Sequence, residues 1–524
     1  MKKRVIALFA VLSALALFVT ACGGGGAAPT TAAPAAEATT AAPTTAATTT
    51  KAPETTTEAP AAEVPTLIWF MGDPGTPPPD EELVEAKLNE ISVAKVGVKM
   101  KTIFYNDDNI KLNMNAGEPW DIAFTCEWYN NYAVQGHAGF FADITDKLKS
   151  VTPLLYDTMP EIVWEGAKID GKIMAIPVKK DYAAEIFYRF NKELFIDSLG
   201  MDIPDKMSFF DIEKYLEVCK KAIADGNDKA KAEYPLMLTK SGFGALDSNF
   251  DMINRDAMMG IPYSAVGTPD EDKVVFEIEC QDFLDRLYAV RKWYQEGYIN
   301  MDAPALDSAP QAYDISPGQG FYGADAIWTG AVGYPIFISK YSGPYLSTAS
   351  IRGSLNAINA KSDNIDLALK YQELVNTDQE YRDILRYGIE GTHWNRTPEG
   401  LVQRTDAGRN GYQPWPFSQG SYSLSSVEAA EGVTVDPNMW NVIFDSYKDA
   451  IATKTIGFSF DPVNVEAEIA AVKSAKEKYW AGLTTGSMDP VDTLPKFVAE
   501  CEAAGIRKVL EDCQTQFDAF LASR

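Results

Sequence analysis

Five consecutive residues, Glu127-Trp128-Tyr129-Asn130-Asn131, set a carboxylate, two aromatic rings and two amides side by side. Aromatic rings offer flat apolar faces, and carboxylates and amides pair with hydroxyl groups. Small-ligand pockets combine such walls with a few placed polar groups. A sugar ring has the matching chemistry, with apolar faces and a hydroxylated rim. The other place for Trp128 or Tyr129 is the core. Asp73, in Gly72-Asp-Pro-Gly75, serves either a ligand or the turn itself. Trp328 stands near Gly330 and Gly333; Glu390, His393 and Trp394 share one short segment; Trp415 lies in Gln413-Pro-Trp-Pro-Phe417. All of these are candidate ligand contacts, although a lone His such as His393 is more often structural. Lys180, Asp181 and Tyr182 are hinge candidates, and Tyr182 is the one expected to face a ligand.

Catalytic chemistry finds little material. There is no HExxH, GxSxG or P-loop. His137 and His393 are the only histidines, which leaves little for a His-based triad. A glycosidase needs only two carboxylates about 5–10 Å apart, and 73 acidic residues leave that alternative open. The reading is nonetheless that the chain is not an enzyme. Six cysteines occur without a CxxC or Cys/His cluster, so no metal site and no cofactor are implied. A Cys501–Cys513 disulfide stays open. The formal net charge of −26 argues against nucleic acid, whose phosphates demand Lys and Arg.

These residues must be held by something. Leu67–Met71 reads as a strand running into a turn-rich loop. Leu83, Leu88 and Ile91 follow at helical spacing. Val96 to Thr102 alternates as a strand, Ile110–Ala116 is helical and stops at Gly117, and Asp121–Phe124 is a short buried strand. Strand–helix–strand–helix–strand is the pattern of a parallel sheet, whose ligands bind at loops past the strand ends. Those loops carry Asp73 and Glu127–Asn131. Asp170-Gly171 signals a hairpin. Helices follow after Ser208, with Cys219 on the apolar face, and over 283–294, 365–375 and 465–479.

At the N-terminus, Lys2, Lys3 and Arg4 precede an apolar run from Val5 to Val19. That run fits a secretory signal, whose apolar core runs about 7–15 residues, better than a membrane span of about 20. Val19-Thr20-Ala21-Cys22 resembles a bacterial lipobox, implying cleavage after residue 21 and lipidation of Cys22. Residues 22–64 are nearly all Ala, Thr, Pro, Glu and Gly and form a disordered tether in this reading. The remaining stretch exceeds what one core holds, so two lobes are expected.

Several segments resemble the extracellular solute-binding lipoproteins of bacterial ABC importers, in particular the LipO-like subgroup with its C-terminal domain of unknown function. They are Trp69–Gly75, Ala116–Thr125, Asp170–Pro177, Tyr387–Trp394, Gly457–Pro462 and Leu494–Gln516. The resemblance implies an α/β, two-lobed type II periplasmic-binding-protein fold with a hinge and a ligand cleft. Lobe 1 is expected over 65–180 plus 335–385, and lobe 2 over 181–334 plus 386–524. The implied function is capture of a carbohydrate, an oligosaccharide, and its delivery to membrane permease subunits by a monomer lipid-anchored on the extracytoplasmic face. A peptide or another small polar solute is the alternative ligand, and a surface adhesin or glycosidase lipoprotein the alternative role.

Overall fold

The computed structural model describes residues 63–72, 77–430 and 433–524. The lipobox, the tether and Asp73 lie outside these residues. The first sheet has the order 99–105, 66–72, 122–125, 355–358, 175–177. Its first three strands are parallel, and Leu355–Ile358 runs antiparallel to both of its neighbours. Side chains alternate across such a strand. Leu67, Trp69 and Met71 therefore join the core on one face, and Phe70 joins Ala123 and Phe124 on the other. Both faces are covered, as parallel sheets require.

The local signals hold where they are local. Glycines end helices because they accept the left-handed backbone, as Gly97 (φ 72°) does after Glu81–Val96 and Gly117 (φ 78°) after Asp107–Ala116. Asp170 (φ 49°) and Gly171 (φ 77°) turn a hairpin between Lys168–Ile169 and Lys172–Ile173. Ser208 and Asp211 form a capping box ahead of Glu213–Ala224, on which Cys219 is buried. Two details differ. Leu83 is exposed and Val84 takes the buried place, while the second strand starts at Lys99 because the helix runs through Val96.

A second sheet, in the order 315–320, 184–191, 336–346, 451–452, carries the chain out of the first lobe and back. Strand Ala184–Asn191 pairs antiparallel with both Ile315–Gly320 and Ile336–Leu346. Around it a separate core collects Phe190, Tyr215, Phe283 and Trp293. Three C-terminal helices, Glu466–Thr484, Pro490–Ala503 and Ile506–Ala522, add Val472, Phe497, Val509 and Phe517 to that same core. Cys501 and Cys513 are buried there as free thiols, which burial raises to about 12.

One expectation is overturned. Residues 386 to about 447 pack on the first lobe, not the second. Tyr412, Trp440 and Tyr447 belong to the first-lobe core with Leu67 and Val84. The cause is a pair of buried arginines on helix Gln379–Tyr387 that need oxygen partners. Arg382 donates to Ser421 O (2.9 Å), Gln419 Oε1 (3.1 Å) and Pro416 O (2.7 Å). Arg386 donates to Ser425 Oγ (2.6 Å) and Tyr422 Oη (3.0 Å). The backbone amide of Asp80 closes the other edge by donating to Gly411 O (2.9 Å).

Candidate functional site

Strand Ile122–Thr125 is wholly buried, and the chain leaves its end in a tight loop. The Thr125 hydroxyl donates to Asn130 O (2.5 Å), and the Cys126 amide to Tyr129 O (2.9 Å). Asn130 takes a left-handed backbone (φ 46°), and its amide side chain donates to Phe124 O (3.0 Å). Asn131 caps the next helix by accepting from the Val134 amide (3.0 Å) and donates to Glu127 O (2.8 Å). Both asparagines are thus committed to holding the loop. The outcome is that Trp128, at the apex, is left 57% exposed.

Trp128 is not alone there. Its ring lies 6.1 Å from Trp415, 6.0 Å from Phe417 and 5.8 Å from Tyr129, and Trp415 and Phe417 are 5.1 Å apart. Phe124 backs the group, 6.2 Å from Phe417. Gly72 makes room for it: a Cβ at that position would stand 2.7 Å from the Phe124 ring and 3.5 Å from Trp415. The result is an aromatic wall with one large ring face open.

This wall borders a cleft of about 810 Å³. Glu127, Trp128 and Asn131 line it from the first lobe, Lys180, Ser347 and Ser350 from the crossing segments. Asp247, Ser248, Asn254, Arg255, Asp256 and Tyr263 line it from the second lobe, with Gln319 at the end of a crossover strand. Tyr263 is fixed by a parallel stack on Tyr345, centroids 3.8 Å apart. The cleft carboxylates face cations. Asp247 pairs with Arg255, Asp256 with Lys473 (3.1 Å), and Glu127 with the buried Arg352 (3.7 Å). Behind Asp247 lies buried Glu277, whose carboxyl is pushed up to about 8 by burial and then by the Asp247 charge. The arrangement can stack a ring and meet its rim with amides, hydroxyls and charged groups. Among the described residues no group of His, Cys, Asp and Glu is placed to hold a metal ion.

Of the residues singled out in the sequence, Glu127, Trp128, Asn131 and Trp415 come together here. The others are elsewhere. Tyr182 is buried against Phe444 (5.6 Å) and Tyr447 (5.0 Å), and Lys180 lines the cleft instead. Trp328 packs helix Ala324–Val332 onto the crossover strands, with the Arg189 guanidinium 5.0 Å over its ring. His393 is fully buried. Its Nδ1 accepts from the Ile389 amide (2.9 Å), so Nε2 carries the proton and donates to Asp80 Oδ2 (3.2 Å). Trp394 is core, donating to Gly388 O (2.9 Å). Glu390 is exposed at a separate recess on the first lobe. The second-lobe wall of Asp247, Arg255 and Tyr263 was missed. Its one sequence signal is the non-periodic, glycine-punctuated stretch after Thr239.

Searches among known proteins meet this geometry from three sides. Residues 454–522 match the family described as a domain of unknown function, DUF3502. A carbohydrate ABC transporter substrate-binding protein of Streptococcus pneumoniae serotype 4 is 25% identical over 470 residues, covering 86% of this chain and 90% of that protein. The crystal structure of the N-glycan transport solute binding protein NgtS of Streptococcus pneumoniae superposes with a TM-score of 0.77 at 23% identity, covering 87% of this chain and 99% of that one. The fold is that of a two-lobed solute-binding protein. The same relative in complex with Man5GlcNAc matches at a TM-score of 0.68 and 23% identity, covering 88% of this chain and 99% of that one. An HMO-binding, ABC-transporter-associated solute-binding protein from Bifidobacterium longum infantis matches at a TM-score of 0.56 and 14% identity, covering 87% of this chain and 99% of that one.

Proposed function

We propose that this chain is the substrate-binding lipoprotein of an ABC importer, capturing an oligosaccharide outside the cell and passing it to a membrane permease. The observation that carries the reading is the interlobe cleft with Trp128 held open at its wall. A core residue of that size is ordinarily covered, and an exposed ring braced by four other aromatics is built to be covered by a ligand. The relatives named above as carbohydrate and N-glycan binders favour sugar over peptide. The lobes close on the ligand by hinge motion along the crossover strands. The ligand is expected to leave unaltered: among the described residues each cleft carboxylate is engaged with a cation, whereas a glycosidase needs one free to give up a proton. Cys22, lipidated after cleavage, anchors a monomer to the extracytoplasmic face, since two or more acyl chains hold a protein stably on a bilayer.

A thermal-shift screen of the intact protein over oligosaccharides, peptides and polyamines tests this. A ligand at 100 times its Kd adds roughly 2.7 kcal/mol, several degrees at roughly 2–4 °C per kcal/mol. The expected result is a shift with sugars and a sugar unchanged on chromatography afterwards. Shifts with peptides alone overturn the ligand class, and conversion of the sugar overturns the non-catalytic role. Cys22→Ser is expected to leave an uncut precursor or to release the protein from the membrane fraction; a processed, membrane-bound product refutes the anchor.

A further inference from the structure

A second cavity, about 720 Å³, adjoins the aromatic wall. Gln413 and Pro416, on either side of Trp415, line it, and so does Phe321, two residues beyond the Gln319 that lines the first cleft. The loop that carries Trp415 lines the second cavity and sets Trp415 against Trp128 of the first cleft, and the end of one crossover strand reaches both.

Its chemistry differs from that of the first. Arg386, Arg404 and Arg409 line it with a single carboxylate, Glu428, among the described residues, in a chain of net charge −26. Arg404 Nε pairs with Glu428 (3.1 Å) and its Nη1 donates to Tyr412 O (3.0 Å). Arg409 is half exposed and pairs with Asp406 (2.7 Å). Arg386 is the telling one. It is 8% exposed and, among the described residues, has no carboxylate within ion-pair distance and is met by the hydroxyls of Ser425 and Tyr422 and the faces of Tyr387 and Tyr422. Its Nε is buried without a partner. A buried charge ordinarily requires a counter-charge; here Glu428 and Asp383 favour the charged form from a distance, and no described carboxylate meets the guanidinium in a direct ion pair. Asp383, three residues before Arg386, is hydrogen-bonded to Ser426 and paired with Arg396.

We infer that this cavity is an anion subsite, taking the carboxylate of an acidic sugar in an oligosaccharide whose neutral part stacks on Trp128. A planar carboxylate fits the guanidinium fork better than it fits any other side chain present. The assignment deepens the glycan reading and rests on it.

The test uses a matched pair of probes: Man5GlcNAc, and the same glycan with its primary alcohols oxidised to carboxylates. Each is titrated into the intact protein and into Arg409→Gln and Arg404→Gln. The acidic probe is expected to bind about tenfold tighter to the native protein, with an advantage that shrinks at high salt. Either variant is expected to remove most of that advantage while leaving the neutral probe's affinity within threefold. Arg409 is exposed, so its variant keeps the fold even if Arg404→Gln does not. Equal or weaker binding of the acidic probe, or an advantage that survives both variants, overturns the anion subsite and leaves the glycan reading standing. Failure of both probes, alongside a confirmed non-sugar ligand, overturns the glycan reading and the subsite with it.

Discussion

Truncating Trp128 to Ala isolates the aromatic wall from the rest of the protein. The residue is 57% exposed, so the unliganded fold loses little. A tryptophan side chain offers up to roughly 250 Å², which leaves about 140 Å² open to a ligand. If a sugar ring covers half of that open face, about 70 Å² leaves water, and at about 25 cal/mol per Å² this contributes about 1.8 kcal/mol. At 1.4 kcal/mol per decade the Kd rises about 20-fold. The assay is calorimetric titration of native and Trp128→Ala protein with the oligosaccharide that gives the largest thermal shift, together with the unliganded melting midpoint of each. The expected result is about 20-fold weaker binding and a midpoint within about 2 °C of the native protein. A Kd changed by less than threefold refutes the stacking role. A midpoint lowered by many degrees refutes the premise, since it makes Trp128 a core residue.

Three further outcomes follow from the same geometry. Gly72→Ala places a methyl 2.7 Å from the Phe124 ring, and that overpacking is expected to cost about 1–3 kcal/mol in urea unfolding and to weaken ligand binding; an unchanged Kd breaks the link between Gly72 and the wall. Glu277, pushed from its ordinary 4.5 to about 8, is protonated in the fold and ionised in the unfolded chain between those values. Stability is therefore full below about 4.5, falls as pH rises to about 8 and is level above, so Glu277→Gln is expected to flatten the urea midpoint between pH 5 and 8, and equal slopes in both proteins refute the assignment. Arg382→Leu strands three buried oxygens on Gln419, Ser421 and Pro416, and is expected to destabilise by about 3 kcal/mol or more, at about 1–3 kcal/mol for each buried acceptor left unsatisfied; loss of less than 1 kcal/mol refutes its role in seating the Trp415 loop.

What could be read from the sequence was what short stretches decide. Asp170-Gly171 turns a hairpin because two adjacent residues accept positive φ. Glu127–Asn131 was legible as a candidate site because a four-residue buried strand ends there, and strand ends are where such sheets open. The rest depends on partners far away in the chain. His393 looked like a candidate ligand contact, but its imidazole answers Asp80, 313 residues earlier. Tyr182 and Lys180 share an irregular segment without strand periodicity, so nothing local said that the lysine, and not the ring, turns to the cleft. Residues 386–447 were assigned to the wrong lobe because the deciding feature, two buried arginines on one helix, reads in sequence as an ordinary polar face.

The measurement that bears most directly on the account is a calorimetric titration of the intact protein against a panel of oligosaccharides, with peptides as controls. The account predicts one saturable site per chain for at least one sugar, weakened about 20-fold by Trp128→Ala through the loss of stacked area. Heat from a peptide and from no sugar, or sugar binding indifferent to Trp128, contradicts it.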